Sequence, residues 1–172
     1  LDTSAVKDFS YMFQGCTSLT TIPLLDMSNN INLNHTFEGC TSLTSIPLIN
    51  TSKVTKMIMT FYNCGKLTAI PAIDTSKVTS FSQTFASCRK LVTVPQLDFS
   101  SATSSLSDIF QYCTQLSDES LNNILASCIG AINVTDSNKT LKNIGLTSSQ
   151  ATKCTTLSNY EAFTAAGWTT GY

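Results

Sequence analysis

The sequence predicts an α/β solenoid: short parallel strands and helical or 3₁₀ turns wound into stacked coils, closed at the C-terminal end by helices. Three rows of residues predict it. Phe13, Phe37, Phe61, Phe85 and Phe110 recur at an almost constant interval. Cys16, Cys40, Cys64, Cys88 and Cys113 follow each Phe by three residues, and Leu19, Leu43, Leu67, Leu91 and Leu116 follow each Cys by three more. Self-similarity at a period of roughly two dozen positions marks stacked architectures, in which no single unit can bury its own apolar face.

Each part of the unit has a physical reading. Phe, Cys and Leu at i, i+3 and i+6 share one side of a helical or 3₁₀ turn. The stretch from Leu19 to Ile22 is β-competent with Thr-rich flanks, and the equivalent Ile46, Ile70 and Val94 follow at the same period. Pro23, Pro47, Pro71 and Pro95 come next; proline has no N–H to give to a ladder, so it ends the strand. Leu25, Ile49, Ile73 and Leu97 close the apolar set. Asp26 to Ser28, Asp74 to Ser76 and Asp98 to Ser100 can turn the chain through side-chain to backbone bonds. Val54 with Met57, and Val78 with Phe81, lead back to the next Phe. Parallel pairing sets neighbouring coils about 4.8 Å apart.

The unit, with MFQGC at 12–16 and LTTIPLLD at 19–26, resembles the BspA-like leucine-rich repeats of bacterial surface proteins. The resemblance covers roughly residues 1–116 and implies a leucine-rich-repeat solenoid on a secreted or cell-surface protein that binds host or partner molecules. This chain departs from that pattern by one extra residue per coil, at IPLLD, which bears on the local strand geometry.

The rhythm loosens after Cys113. In SDESLNNILASCIGA, Ser117 is suited to cap a helix with Asp118 and Glu119 in its first turn. Leu121, Ile124, Leu125 and Cys128 then fall on one helical face. TLKNIGL at 140–146 repeats the earlier L-x-x-I-x-L rhythm, so 116–146 reads as one longer coil containing an α-helix. Further helices are expected around Ser148 to Cys154 and from Asn159 to Ala166, the latter capped by Ser158 and ended by Gly167. Trp168 and Tyr172 are expected to cover the end of the stack. The ending NYEAFTAAGWTTGY resembles closing modules of repeat proteins from gut bacteria and their phages. The division is therefore a repeat array over 1–116 and a long repeat with a helical cap over 117–172. Leu1 and Asp2 stand in mid-repeat, which suggests a trimmed chain with more array upstream.

Composition narrows the function. Only 12% of the 172 residues are charged and the net charge is −1, against roughly 25% charged residues in an average domain. A nucleic-acid partner is not expected, because the basic footprint it requires is missing. Nor is direct membrane insertion, since no apolar run approaches the roughly 18 residues of a span.

Candidate chemistry is sparse. Five of the seven cysteines share one repeat position and read as buried thiols. No C-x₂-C pair suggests zinc. Cys128 and Cys154 lie outside the row and are the best placed for a disulfide. The single histidine, His35, occupies the slot of Tyr11, Met59 and Gln83, which reads as a tolerant surface position rather than a base or ligand. Asp2, Asp26, Asp74 and Asp98 read as turn residues, because Asn50 fills the same slot. No catalytic residue, cofactor or metal is expected. The remaining candidate is a binding face of outward side chains flanking the strand positions: Thr20, Thr44, Thr68 and Val92, with Thr21, Ser45, Ala69 and Thr93. The expected function is a non-enzymatic extracellular or cell-surface recognition or adhesion module for a protein or glycan partner. The alternative is a structural or receptor-binding part of a phage tail, located in the virion.

Overall fold

The structure is a computed structural model and describes residues 2–22, 24–103, 106–135 and 138–172. Like residues lie over like along a stack of coils. The rings of Phe13, Phe37, Phe61, Phe85 and Phe110 are nearly parallel, with successive centroids 5.3, 5.4, 5.7 and 5.8 Å apart, inside the range of favourable aromatic pairs. Cys40, Cys64, Cys88 and Cys113 are buried, as are Leu43, Leu67, Leu91 and Leu116. In the first coil Phe13 and Leu19 are half-buried and Cys16 is exposed, because only one neighbouring coil packs on it. Further internal rows are Phe9, Leu33, Met57, Phe81 and Leu106, and Leu25, Ile49, Ile73 and Leu97.

The backbone that carries these rows is neither helix nor strand. Leu33, His35, Phe37 and Gly39 donate their N–H groups to the carbonyls of Lys56, Ile58, Thr60 and Tyr62 in the next coil, at 2.8–2.9 Å. The intervening N–H groups of Thr36, Glu38 and Cys40 turn back to the carbonyls of Leu33, His35 and Phe37 at 3.1–3.3 Å. Met57, Met59, Phe61 and Asn63 repeat the first pattern toward Ser80, Ser82, Thr84 and Ala86. Alternate residues thus divide the work, one set joining coils and the other closing reverse turns. The N–H groups of the run find partners without a ladder, as buried backbone must.

This corrects the α/β class with short parallel strands and 3₁₀ or helical turns. Among the described residues no β-strand forms. Parallel pairing is confined to isolated bridges such as Asp8↔Asn32, Asn32↔Lys56, Lys56↔Ser80, Thr21↔Ser45 and Ala69↔Thr93. Two causes are visible. Half the carbonyls of the Phe run are consumed by turns within their own coil, so a two-way ladder cannot propagate. In the Leu19–Ile22 stretch and its equivalents, Pro47, Pro71 and Pro95 remove the next donor; Pro23 lies outside the described residues. The turns also need two left-handed positions per coil. Tyr11, His35, Met59, Gln83 and Asp108 have φ of 51–62°, and Gly15, Gly39, Asn63, Ser87 and Tyr112 have φ of 58–72°. A left-handed third residue is the geometry of type II turns.

Buried polar side chains fasten one coil to the one before it. The hydroxyls of Thr36, Thr60 and Thr84 donate to the carbonyls of Phe9, Leu33 and Met57 at 2.8–3.0 Å. The thiols of Cys40, Cys64, Cys88 and Cys113 donate to the carbonyls of Phe13, Phe37, Phe61 and Phe85 at 3.1–3.2 Å. On the outside, the Asp-x-Ser corners form as expected. Ser4, Ser28, Ser76 and Ser100 donate their N–H groups to Asp2, Asp26, Asp74 and Asp98 at 2.8–3.0 Å, and Ser52 does the same to Asn50 at 3.1 Å.

The regular elements are three helices among the described residues: α1 (Asp118–Ile129), α2 (Ser148–Cys154) and α3 (Tyr160–Ala165). Helix α1 is capped by Ser117, with Asp118 and Glu119 in its first turn. It lies along the edge of the coil that holds Phe85 and satisfies that edge with side chains. The Ser120 hydroxyl donates to the Val92 carbonyl and accepts the Val94 N–H, both at 2.8 Å. Asn123 donates to the Val94 carbonyl at 3.0 Å and Ser127 accepts the Leu97 N–H at 2.8 Å. The chain then rejoins the stack where Phe110 donates to the Ile144 carbonyl at 2.9 Å. Helix α2 opens on a capping box between Thr147 and Gln150, and the Gln150 amide donates to the Cys113 carbonyl at 2.8 Å. The residue before α3 is Asn159, not Ser158; the Ser158 hydroxyl instead meets Asn122. Trp168 is buried against Phe163, centroids 5.7 Å apart, whereas Tyr172 is 60% exposed.

Two substitutions separate packing from backbone geometry. Phe61→Ala, in the middle of the aromatic row, is expected to cost about 3–5 kcal/mol in urea denaturation. Gly39→Ala is expected to cost about 1–2 kcal/mol, because a Cβ there meets only ordinary contacts and the loss is conformational.

Candidate binding face

All eight residues of the expected face are exposed: Thr20, Thr21, Thr44, Ser45, Thr68, Ala69, Val92 and Thr93. They are brought into register by coil pairing, with Thr44 donating its N–H to the Thr20 carbonyl at 3.0 Å and Val92 to the Thr68 carbonyl at 2.9 Å. The hydroxyls are not all free for a ligand. Thr44 and Thr68 turn theirs onto the carbonyls of Thr20 and Thr44, at 3.1 and 3.4 Å, which stiffens the face. Ser45, Ala69 and Thr93 form the adjoining row. Leu24 and Leu48 stand nearby in sequence at 85% and 71% exposure, so the coil surface offers apolar contact beside small hydroxyls.

His35 departs from the free surface site that its sequence slot suggests. It is half-buried, with its ring stacked on Tyr11 at 4.6 Å and Nδ1 2.6 Å from the Glu38 carboxylate. What Tyr11, His35, Met59 and Gln83 share is a left-handed backbone, not solvent.

Six of the seven thiols are inert by burial. All seven cysteines are free, including Cys128 and Cys154, and only Cys16 is exposed. Loss of solvent pushes the Cys40 and Cys154 thiols up to about 11 and the Cys113 thiol up to about 12; Cys64, Cys88 and Cys128 are raised as well, for the same reason. Among the described residues no group of three or more His, Cys, Asp and Glu is arranged to hold a metal ion, and no helix is long and apolar enough to cross a membrane. The corner carboxylates of Asp26 and Asp74 are held below the ordinary range by the hydroxyl and N–H of Ser28 and Ser76.

Two concavities were not anticipated from the sequence. One of about 460 Å³ lies between Gln96–Phe99 and α1. The other, about 320 Å³, lies around Tyr112 and Tyr172. The available signal for the second was Tyr112 itself, standing where other coils have Gly15 and Gly39.

Stacked short coils with like residues in register and an exposed repeating face define a protein built from stacked repeats. The chain belongs to the family described as Mycoplasma protein of unknown function, DUF285, which matches it over residues 1–93 and again over 31–148; this is a family of BspA-like repeat proteins. No curated protein and no solved structure matches the chain.

Two outcomes follow from this chemistry. Only the thiolate attacks disulfide reagents, so native protein at pH 8 is expected to release one equivalent with Ellman's reagent, from Cys16, and the other six only after unfolding. The lowered Asp26 and Asp74 carboxylates stabilise the fold fully above their unfolded value of about 3.9. That contribution is lost as pH falls through the lower folded values. The urea midpoint should therefore drop below about pH 4, and Asp26→Asn with Asp74→Asn should flatten the drop, because Asn50 already makes the same corner without a titrating group.

Proposed function

We propose that this chain is a non-enzymatic recognition or adhesion module of an extracellular or cell-surface protein. Its coils present a rigid repeating surface to a protein or glycan partner. The reading includes the finer resemblance to BspA-like leucine-rich-repeat surface proteins with a C-terminal closing module. The observation that carries it is the in-register exposure of Thr20, Thr44, Thr68 and Val92 beside Thr21, Ser45, Ala69 and Thr93. A row repeated at coil spacing favours an extended partner over a small metabolite, since it multiplies weak equivalent contacts. Small hydroxyl and methyl side chains lose little entropy on contact, so affinity at this face comes from area and repetition rather than from a single anchor.

The test is an array of glycans and matrix proteins probed with the chain multimerised on a tetravalent carrier. Selective binding is expected. Ser45→Arg with Ala69→Arg should weaken it at least tenfold while the melting temperature stays within a few degrees. Absence of selective binding, or binding that ignores the double substitution, contradicts the assignment of this face.

A further inference from the structure

The coil that holds Phe110 departs from its neighbours at one surface corner. Where the others carry Gly15, Gly39, Asn63 and Ser87, it carries Tyr112, with φ of 63°. Glycine adopts this conformation freely and asparagine tolerates it, whereas a bulky ring is strained there. Burial does not offset that strain, since Tyr112 is 56% exposed.

Tyr112 borders the cleft of about 320 Å³, together with Asp108, Gln111, Lys142, Gly145 and Tyr172. The second aromatic wall is fixed. The Tyr172 hydroxyl donates to the Leu146 carbonyl, and Lys142 Nζ lies 5.5 Å from the centre of its ring. Gly145 lets the chain close tightly on the neighbouring coil, because a Cβ there would stand 2.5 Å from the Gln111 backbone nitrogen. Between these groups runs a polar pair, the Gln111 amide donating to Asp108 Oδ1 at 3.1 Å. That bond does not use Asp108 Oδ2, the second amide hydrogen or the Gln111 oxygen, each of which has hydrogen-bonding capacity of its own.

The chemistry selects a ligand class. One carboxylate and one ammonium balance each other, and the ammonium is already drawn to a ring, so neither an anion nor a cation is favoured. The volume stands at the lower end of small-molecule sites, about 300 Å³, which suits one six-membered ring rather than a chain. Exposed tyrosines offer an apolar face with a polar edge, and the Asp–Gln pair offers an acceptor beside a donor. A pyranose matches both, with C–H bonds on its flat face and neighbouring hydroxyls on its rim. We infer that this cleft binds one pyranose unit of a neutral glycan. The site uses none of the residues of the repeating face and stands or falls separately from it.

The test titrates the full chain, labelled with nitrogen-15, with the methyl glycosides of glucose, galactose, mannose and N-acetylglucosamine in turn. At least one is expected to shift amide resonances in 108–112 and 142–147 saturably, leaving those of Thr44, Thr68 and Val92 in place. Tyr112→Gly should weaken that binding at least tenfold and raise the melting temperature, because it removes the aromatic wall and relieves the backbone together. The paired rise and loss distinguish a lost site from a damaged fold. No saturable shift with any of the four sugars, or a shift that persists in Tyr112→Gly, overturns the inference.

Discussion

The structure depends on how the Phe-containing run disposes of its backbone hydrogen bonds. An interior of stacked coils must satisfy every N–H and C=O it buries. Here alternate N–H groups reach carbonyls of the next coil, and the intervening ones close turns inside their own coil. Once that division is set, the coil spacing, the left-handed positions and the parallel Phe rings are consequences. One ring in each coil, at centroid separations of 5.3–5.8 Å, is what a fixed backbone register delivers.

The same division explains why polar residues recur inside. The carbonyls of Leu33, Phe37, Met57 and Phe61 accept a turn hydrogen bond from their own coil and a hydroxyl or thiol from the next. Thr60 and Cys64 are therefore fasteners between coils, not fillers. Their geometry accounts for thiols held at one position through five coils without any disulfide among them. Where the pattern ends, α1 and α2 take over the same task with side chains, as Ser120, Ser127 and Gln150 do for Val92, Leu97 and Cys113.

Much of this was legible in the sequence, for reasons that can be named. The Phe, Cys and Leu rows were readable because packing like over like imposes an identical residue at an identical interval. Ser117 before Asp118 and Glu119 announced α1, and the Asp-x-Ser corners announced their turns, because both are local hydrogen bonds written in adjacent residues. The eight exposed side chains from Thr20 to Thr93 were legible by their position beside Ile22, Ile46, Ile70 and Val94. The strands were misread because an apolar β-branched stretch looks the same whether its neighbours complete a ladder or, as here, a proline and competing turns prevent one. The left-handed sites were hidden because Tyr11, His35, Met59 and Gln83 carry no common side-chain signature. The Thr36, Thr60 and Thr84 row could have been read from the repeated Thr-Phe pair. The cleft at Tyr112 was out of reach, because it joins residues far apart in the chain through a coil of unusual length.

The most direct measurement of the central claim is the scalar coupling transmitted across individual backbone hydrogen bonds in a labelled sample. Couplings are expected from the Phe37 nitrogen to the Thr60 carbonyl carbon and from the Phe61 nitrogen to the Thr84 carbonyl carbon. The Cys40 and Cys64 nitrogens are expected to couple back to Phe37 and Phe61 within their own coils. Couplings from Cys40 or Cys64 to a neighbouring coil, in the two-way pattern of a parallel ladder, would contradict this division of the hydrogen bonds.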